Sequence, residues 1–321
     1  MTVFHELRRR TAAPAEPRGR VPGEPRRKRP ANKKDNLAAL VFLAPWLAGL
    51  LVITIGPMIA SLVLSFTNYD LLQPPEWAGF DNFVRMLGDE RLHSSLQVTF
   101  VYVFVSVPVQ LTIALLLAVV LDRGVRGMAF YRSIFYLPSL LGSSVAIAIL
   151  WQQVFGTEGL VNHFLGLFGV PGRGWISEPG TALSSLIVLN VWTFGAPMVI
   201  FLAGLRQIPS MYYEAAAVDG AGPLRRFRGI TLPLLTPIIF FNLVLQIIHA
   251  FQAFTQAFVV SNGTGGPSDS TLFFTLYAYQ RAFRNFDMGY ASAMAWFLLV
   301  VIAAFTAINF YAARFWVFYD D

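Results

Sequence analysis

Residues 96 to 121 read LQVTFVYVFVSVPVQLTIALLLAVVL, without a single Asp, Glu, Lys or Arg. As a helix rising 1.5 Å per residue, this run exceeds the roughly 20 residues needed to cross about 30 Å of hydrocarbon. Its apolar residues are continuous instead of alternating. In lipid, every backbone polar group has to be satisfied within the chain, so the run reads as a helix and not as a barrel strand. Comparable runs lie at 37 to 66, 133 to 155, 181 to 205, 232 to 260 and 289 to 313. The fold class is therefore all-α, a polytopic membrane protein with six transmembrane helices. Composition agrees: 55% of the residues are hydrophobic and 13% charged, where globular chains hold about a quarter charged.

Charge placement orients the spans. Residues 1 to 36 carry eleven Lys or Arg against four acids, and everything after them has a net charge of −1. This head is rich in Pro, Gly and Arg and too poor in apolar residues to pack, so it reads as a disordered basic cytoplasmic tail. A nucleic-acid-binding arm is the competing reading. A basic run just before a span more commonly sets topology and meets the lipid surface. The apolar stretch behind it is far longer than a signal-peptide core and is expected to stay in the protein. Arg123, Arg126 and Arg132, then Arg206, Arg225, Arg226 and Arg228, load the loops on the same side. Both termini are thus expected in the cytoplasm, with the transmembrane domain spanning 37 to 315. The outer loop after Ser261 opens with the turn-forming Asn262-Gly263-Thr264-Gly265-Gly266-Pro267, and apolar spacing predicts a short amphipathic helix between Thr271 and Phe286.

The chain has no Cys, which excludes disulfides and thiol chemistry. Its four His form no close-spaced ligand pair, and no nucleophile-elbow or phosphate-loop motif occurs, so neither a metal site nor catalytic residues are expected. No Asp, Glu, Lys or Arg lies well inside a span. Ion-coupled carriers need such groups, so the energy for any active transport has to come from elsewhere. Uncharged polar side chains do line up in the fifth span: Asn242, Gln246, His249, Gln252 and Gln256 step by three or four residues, with Thr255 alongside. Helix–helix glue would account for one or two of these. Five, joined by Asn190 and Thr193 in the fourth span, suit a hydrogen-bonding path for a neutral polar solute, with Trp192 or Phe251 offering an aromatic face. Pro45, Gly49, Gly56 and Pro57 in the first span, and Pro233 and Pro237 in the fifth, are expected to kink helices around a cavity.

Between the fourth and fifth spans, residues 208 to 222 read IPSMYYEAAAVDGAG, followed by a basic stretch and Ile230-Thr231-Leu232-Pro233. This predicts a short cytoplasmic helix with Ser210 as N-cap, Glu214 near the positive dipole end and Gly220 or Gly222 at its close. Ala215, Ala216, Ala217 and Gly220 leave room for another surface to approach.

Glu214-Ala215-Ala216, Gly220 and Ile230-x-Leu232-Pro233 resemble the EAA loop of permease subunits in ATP-binding-cassette (ABC) importers. Further likeness lies in Phe135-Tyr136-Leu137-Pro138, Leu202-Ala203-Gly204-Leu205, Gly79-Phe80-Asp81-Asn82-Phe83 and Gly289-Tyr290-Ala291-Ser292-Ala293. Together they resemble the carbohydrate-uptake, maltose-type subfamily. The resemblance implies a type I importer permease fold in a prokaryotic cytoplasmic membrane. Its coupling loop, 208 to 233, would dock on a separate ATPase dimer through Glu214, Ala215, Ala216, Asp219 and Gly220. It also implies a second six-span permease and an extracytoplasmic or lipid-anchored solute-binding protein. ATP and Mg would be held by the ATPase, with no cofactor in this chain. One departure is the segment Ser261 to Gly266, about two residues longer than the family pattern.

The leading reading is a non-enzymatic permease subunit passing a neutral sugar or oligosaccharide along Asn190, Trp192, Thr193, Gln246, His249, Gln252 and Gln256. Import of glycerol phosphate or another polyol derivative by the same machinery would favour cations along the path, and this chain shows none. A membrane enzyme or scaffold would show clustered acids, metal-spaced His or a nucleophile motif, and these are absent too.

Overall fold

The computed structural model describes residues 33–122, 124, 127–142 and 144–318. The basic tail expected over 1 to 36 lies outside them up to residue 32. The first of two compact units ends at Gly56 and holds helix α1 (Lys33–Gly49) and a wide π-type turn, Leu50–Ile55. The Gly56 N–H closes that turn on the Leu51 carbonyl. The next residue, Pro57, has no N–H with which to continue the regular ladder.

The second unit begins at Pro57. It contains α2 (Gly56–Leu64) from its second residue onward, a minimal hairpin of β1 (Thr67–Asn68) and β2 (Glu76–Trp77), and α3 (Asp81–Leu87). The long helix α4 (Glu90–Asp122) follows, then α5 (Met128–Leu141), α6 (Val145–Phe155) and α7 (Leu160–Gly166). Next come α8 (Pro179–Trp192), α9 (Gly195–Leu205), α10 (Ser210–Val218) and α11 (Pro223–Arg226). The chain closes with α12 (Leu232–Phe251), α13 (Thr255–Val260), α14 (Phe274–Tyr279) and α15 (Met288–Trp316).

Val41–Leu64, Glu90–Asp122, Pro179–Leu205, Pro223–Val260 and Met288–Trp316 are long and apolar enough to cross a membrane. The third expected span, 133 to 155, is not one straight helix. It divides into α5 and α6, which bend by 98° and make the sixth crossing when taken as a pair. The fourth and fifth spans are interrupted too, between α8 and α9 and between α12 and α13.

Helix α4 packs against α8, α9 and α12. Its Ala114 and Ala118 are fully buried, and such small side chains let helices approach where lipid supplies no hydrophobic drive. Gly195 does the same for α9: a Cβ there would lie 2.2 Å from the Phe135 carbonyl of α5. In α12, Pro237 cannot donate to the carbonyl of Pro233, and the Thr236 hydroxyl takes that carbonyl at 2.6 Å instead. The expected outer helix is present as α14, continued by a π-type turn at Gln280–Arg284. It is more deeply packed than an amphipathic surface helix, with Leu272, Phe274, Leu276 and Tyr277 buried.

On the outer side, one carboxylate gathers distant parts of the chain. Asp89 Oδ2 accepts hydrogen bonds from the hydroxyls of Tyr277 (2.7 Å) and Tyr290 (2.8 Å) and from Arg281 (3.2 Å). Asp89 Oδ1 accepts the Leu92 N–H at 3.1 Å. Two ion pairs flank it, Arg85 with Asp287 at 2.8 Å and Arg91 with Asp269 at 2.7 Å. Burial alone would raise the Asp89 pKa, but the Tyr277 and Tyr290 hydroxyls, the Leu92 N–H and the Arg281 charge outweigh it and hold it below its ordinary 3.8. The Tyr277 phenol is pushed up to about 12, first by burial and then by the Asp89 carboxylate it bonds.

A depressed carboxylate pKa contributes stability that is present above the unfolded value and lost as pH falls through the folded one. Acidification below about pH 3.8 is therefore expected to loosen the outer face. Asp89→Ala, which leaves Arg281 and two phenols without their acceptor, should cost about 2–3 kcal/mol. Thermal unfolding of the detergent-solubilised protein across pH checks both. A melting temperature unmoved by the substitution at neutral pH would contradict the role given to this carboxylate.

Candidate functional site

Three spans break around one cavity. The interruptions fall at residues 142–144, 193–194 and 252–254, and a cavity of about 490 Å³ is lined from all three. A break frees backbone carbonyls, and inside a membrane these have to be satisfied by other parts of the protein. At the α8–α9 break, Pro197 cannot donate to the Thr193 carbonyl four residues back. That carbonyl instead accepts from Ser139 Oγ at 2.8 Å and from Gln110 Nε2 at 3.2 Å. Gln110 Nε2 also reaches the Asn190 carbonyl (3.0 Å) and the Thr193 hydroxyl (3.0 Å), while Ser139 Oγ accepts the Ala196 N–H at 2.8 Å. At the α5–α6 break, the Gly142 carbonyl accepts from Gln256 Nε2 at 3.1 Å. At the α12–α13 break, the Ala253 carbonyl accepts from the Thr275 hydroxyl. Gln152 of α6 donates to the carbonyls of Val259 (2.7 Å) and Val260 (3.2 Å) at the end of α13.

This accounting divides the residues that spacing had grouped together. Asn190, Thr193, Gln246, His249, Gln252 and Gln256 all line the cavity. The Thr193 hydroxyl is used twice, donating to the Asn190 carbonyl and accepting from Gln110, and Asn190 Nδ2 is given to Ser106 Oγ at 3.0 Å. Gln256 holds the Gly142 carbonyl. The side chains of Gln246, His249 and Gln252 make no hydrogen bond among the described residues. They are three uncommitted polar groups, Gln246 and His249 on α12 and Gln252 at its C-cap, lining a common space.

Three expected residues lie elsewhere. Asn242 is fully buried, with Nδ2 on the Ile238 carbonyl (3.2 Å) and Oδ1 without a partner, and it does not line the cavity. Trp192 is turned against Trp151 at 5.9 Å, and Phe251 is buried against Phe100 and Phe305. The aromatic side chains on the lining are Tyr102 and Phe254. Gln110, Ser139 and Ser106 were missed because they lie in the second and third spans, outside the polar stripe of the fifth. The signal that was available is the cost of a lone polar group in lipid. Gln110 is almost fully buried, and its Oε1 has no partner.

At the cytoplasmic end, the loop forms α10, and none of its residues is buried. The N-cap is Pro209 and not Ser210, whose side chain makes no capping bond because it stands one place inside the helix. The close is a left-handed one. Gly220 has φ +72°, its N–H bonds the Ala217 carbonyl at 3.1 Å, and the Ala221 N–H bonds the Ala216 carbonyl at 2.9 Å. Gly222 plays no such part. Glu214, Ala215 and Asp219 are exposed and Ala216 half-buried. The Tyr213 hydroxyl, 2.9 Å from Thr231 Oγ1, ties α10 to the base of α12.

Residues 94–316 match the family model described as "Binding-protein-dependent transport system inner membrane component". The chain is 53% identical to the probable ABC transporter permease protein YesP of Bacillus subtilis over 90% of this chain and 94% of that one. It is 34% identical to the lactose transport system permease protein LacF of Rhizobium radiobacter, covering 85% and 93%. Among solved structures, a chain of a bacterial alginate ABC transporter, crystallised with an alginate pentasaccharide-bound periplasmic protein, superposes with a TM-score of 0.75. At 23% identity over 88% of this chain and 95% of that chain, the likeness is one of fold.

The division between committed and uncommitted amides has a direct test. Gln110→Leu removes the donor that bridges the α8–α9 break and should lower stability by about 1–2 kcal/mol. Gln246→Leu, which breaks no bond, should stay within about 0.5 kcal/mol. Equal melting temperatures for the two purified variants would erase the distinction.

Proposed function

The chain belongs to the family of binding-protein-dependent transport system inner membrane components, and on that premise we propose that it forms, with a second six-span permease, the membrane path of an importer for a neutral sugar. As a family member it is a multi-pass permease subunit of an ABC importer in the cytoplasmic membrane, and not an enzyme. The observation that carries the cargo assignment is the cavity at the broken spans: its mixed lining carries many polar side chains, none of them Asp, Glu, Lys or Arg, and three of them are uncommitted. Sugar hydroxyls both donate and accept, and Gln246, His249 and Gln252 offer both kinds of group. Phe254 supplies an apolar face on which a sugar ring can rest. A phosphorylated cargo would want a fixed cation, and no Lys or Arg is among the lining residues. The relative named for lactose transport supports the same cargo class.

Glu214, Ala215, Ala216, Asp219 and Gly220 form the contact with a partner ATPase dimer. That partner would bind ATP and Mg and supply the energy of hydrolysis. An exposed helix with small residues and a compact left-handed end suits seating in a groove. A Cβ at Gly220 would meet nothing within 4 Å, so the glycine is required by its backbone conformation and by the room it leaves outside. Asn190, Thr193, Gln246, His249, Gln252 and Gln256 form the substrate path, with Gln246, His249 and Gln252 making direct contact and the others holding its walls. A solute-binding protein delivers cargo at the outer face.

Gly220→Val places a β-branched side chain at positive φ, at a cost of about 1–2 kcal/mol in this one turn. In cells producing the complete importer, it should abolish uptake of labelled neutral disaccharides while the chain stays in the membrane. Gln246→Ala should instead raise the half-saturation concentration and leave the coupling loop intact. Uptake of a glycerol phosphate with neutral sugars excluded would overturn the cargo assignment. Undiminished uptake by Gly220→Val would overturn the coupling role.

A further inference from the structure

The segment between the first two spans turns an apolar face outward. In α3, Asn82 is 3% exposed and its Nδ2 donates to the carbonyls of Ser65 (3.0 Å) and Thr67 (2.9 Å), the two backbone groups freed where the first span ends. Met86, one turn further, is buried beside it. Phe66, Trp77, Phe80 and Phe83 pack as an aromatic group over the same span end, with Phe66 stacked on Trp77 at 5.9 Å and edge-on to Phe80 at 5.3 Å. The helix is thus held from one side. The other side carries Val84 and Leu87, 63% and 77% exposed, and the outer parts of Phe80 and Trp77, which despite their contacts with Phe66 stay 69% and 74% exposed, extend it.

The depth of this face follows from the chain. The first span ends at Leu64, three residues before β1. The Tyr69 carbonyl, just after β1, accepts the N–H groups of Met288 and Gly289, the first two residues of the sixth span. The hairpin therefore stands where two spans leave the hydrocarbon. An aromatic and aliphatic face fixed at that level is continuous with the lipid-facing surface of the spans, as interfacial Trp and Phe are.

We propose that α3 and the β2 strand before it are an interfacial foot, with Trp77, Phe80, Val84 and Leu87 seated at the headgroup–acyl boundary of the outer leaflet. By anchoring there, the foot holds the Arg85–Asp287 ion pair and the Asp89 cluster at fixed depth beneath the outer face. The occupant is lipid, not a binding protein or a sister permease.

The chain has no native cysteine, so single labels report one site each. Val84→Cys, Leu87→Cys and Asp81→Cys, on the outward face and at its polar edge, would each be spin-labelled in the full chain. The labelled chain is assembled with its partner subunits in phosphatidylcholine nanodiscs, and collision with oxygen is compared with collision with a water-soluble nickel chelate. The expected result is severalfold greater oxygen than nickel accessibility at Val84 and Leu87, reversed at Asp81. Nickel exceeding oxygen at Val84 and Leu87 would place the face in water and overturn the proposal. Immobilised labels shielded from both reagents would mean that protein covers it, and would overturn it too. If one variant fails to assemble, the other outward label still decides.

Discussion

Lipid offers no hydrogen bonds, and that constraint governs the whole arrangement. A span that stays regular satisfies itself. One that breaks exposes carbonyls that only a neighbouring span can reach. Three spans of this chain break, and the freed groups at Asn190, Thr193, Gly142 and Ala253 are taken by Gln110, Ser139, Gln256 and Thr275 from elsewhere in the fold. The cavity is the space these irregular turns leave between them, so the same bonds that make a break tolerable also fix its shape. The polar groups left over on the lining, Gln246, His249 and Gln252, hold none of these freed carbonyls.

Charge obeys the same rule by staying outside. Asp89, Arg281, Arg85, Asp287, Arg91 and Asp269 gather at the outer ends of the spans and join segments nearly two hundred positions apart. Water and fixed partners share the cost of charge there, and a carboxylate served by two phenols and a guanidinium stays ionised. The cytoplasmic end is organised differently: no residue of α10 is buried, and the helix is held by a backbone close at Gly220 and a hydroxyl contact at Thr231 among others.

Much of this was legible in the sequence because lipid imposes simple rules. Long uncharged runs mark spans, and the unequal loop Arg content orients them. Glu214-Ala215-Ala216 with Gly220 marks the exposed helix α10 and its left-handed close. The fifth-span stripe was legible in part, since helical spacing puts Gln246, His249 and Gln252 together but cannot show that Asn242 turns into the packing. The breaks were read at the prolines, and the first span does carry a π-type turn near Pro57. The breaks at Gly142 and Gln252 contain no proline. They depend on which amide lies across from them, and that is a tertiary fact. At Thr193 the cue was present in Pro197, whose missing N–H frees a carbonyl four residues earlier. Ser210 shows the opposite limit: a good capping residue was displaced by one position because Pro209 already supplied the extended backbone that a helix start needs.

The stitches across the breaks and at the end of α13 run from side-chain amides and hydroxyls to main-chain carbonyls, which every residue type carries. Mutation can therefore change the residue at an accepting position such as Val259 without removing the acceptor, subject only to the space available. The burden of inheritance falls on the donors, Gln110, Gln152 and Gln256 with Ser139 and Thr275, which no apolar substitute can replace. A permease built this way can vary the residues that line its cavity while the scaffold that keeps the cavity open is carried by a few amides and hydroxyls.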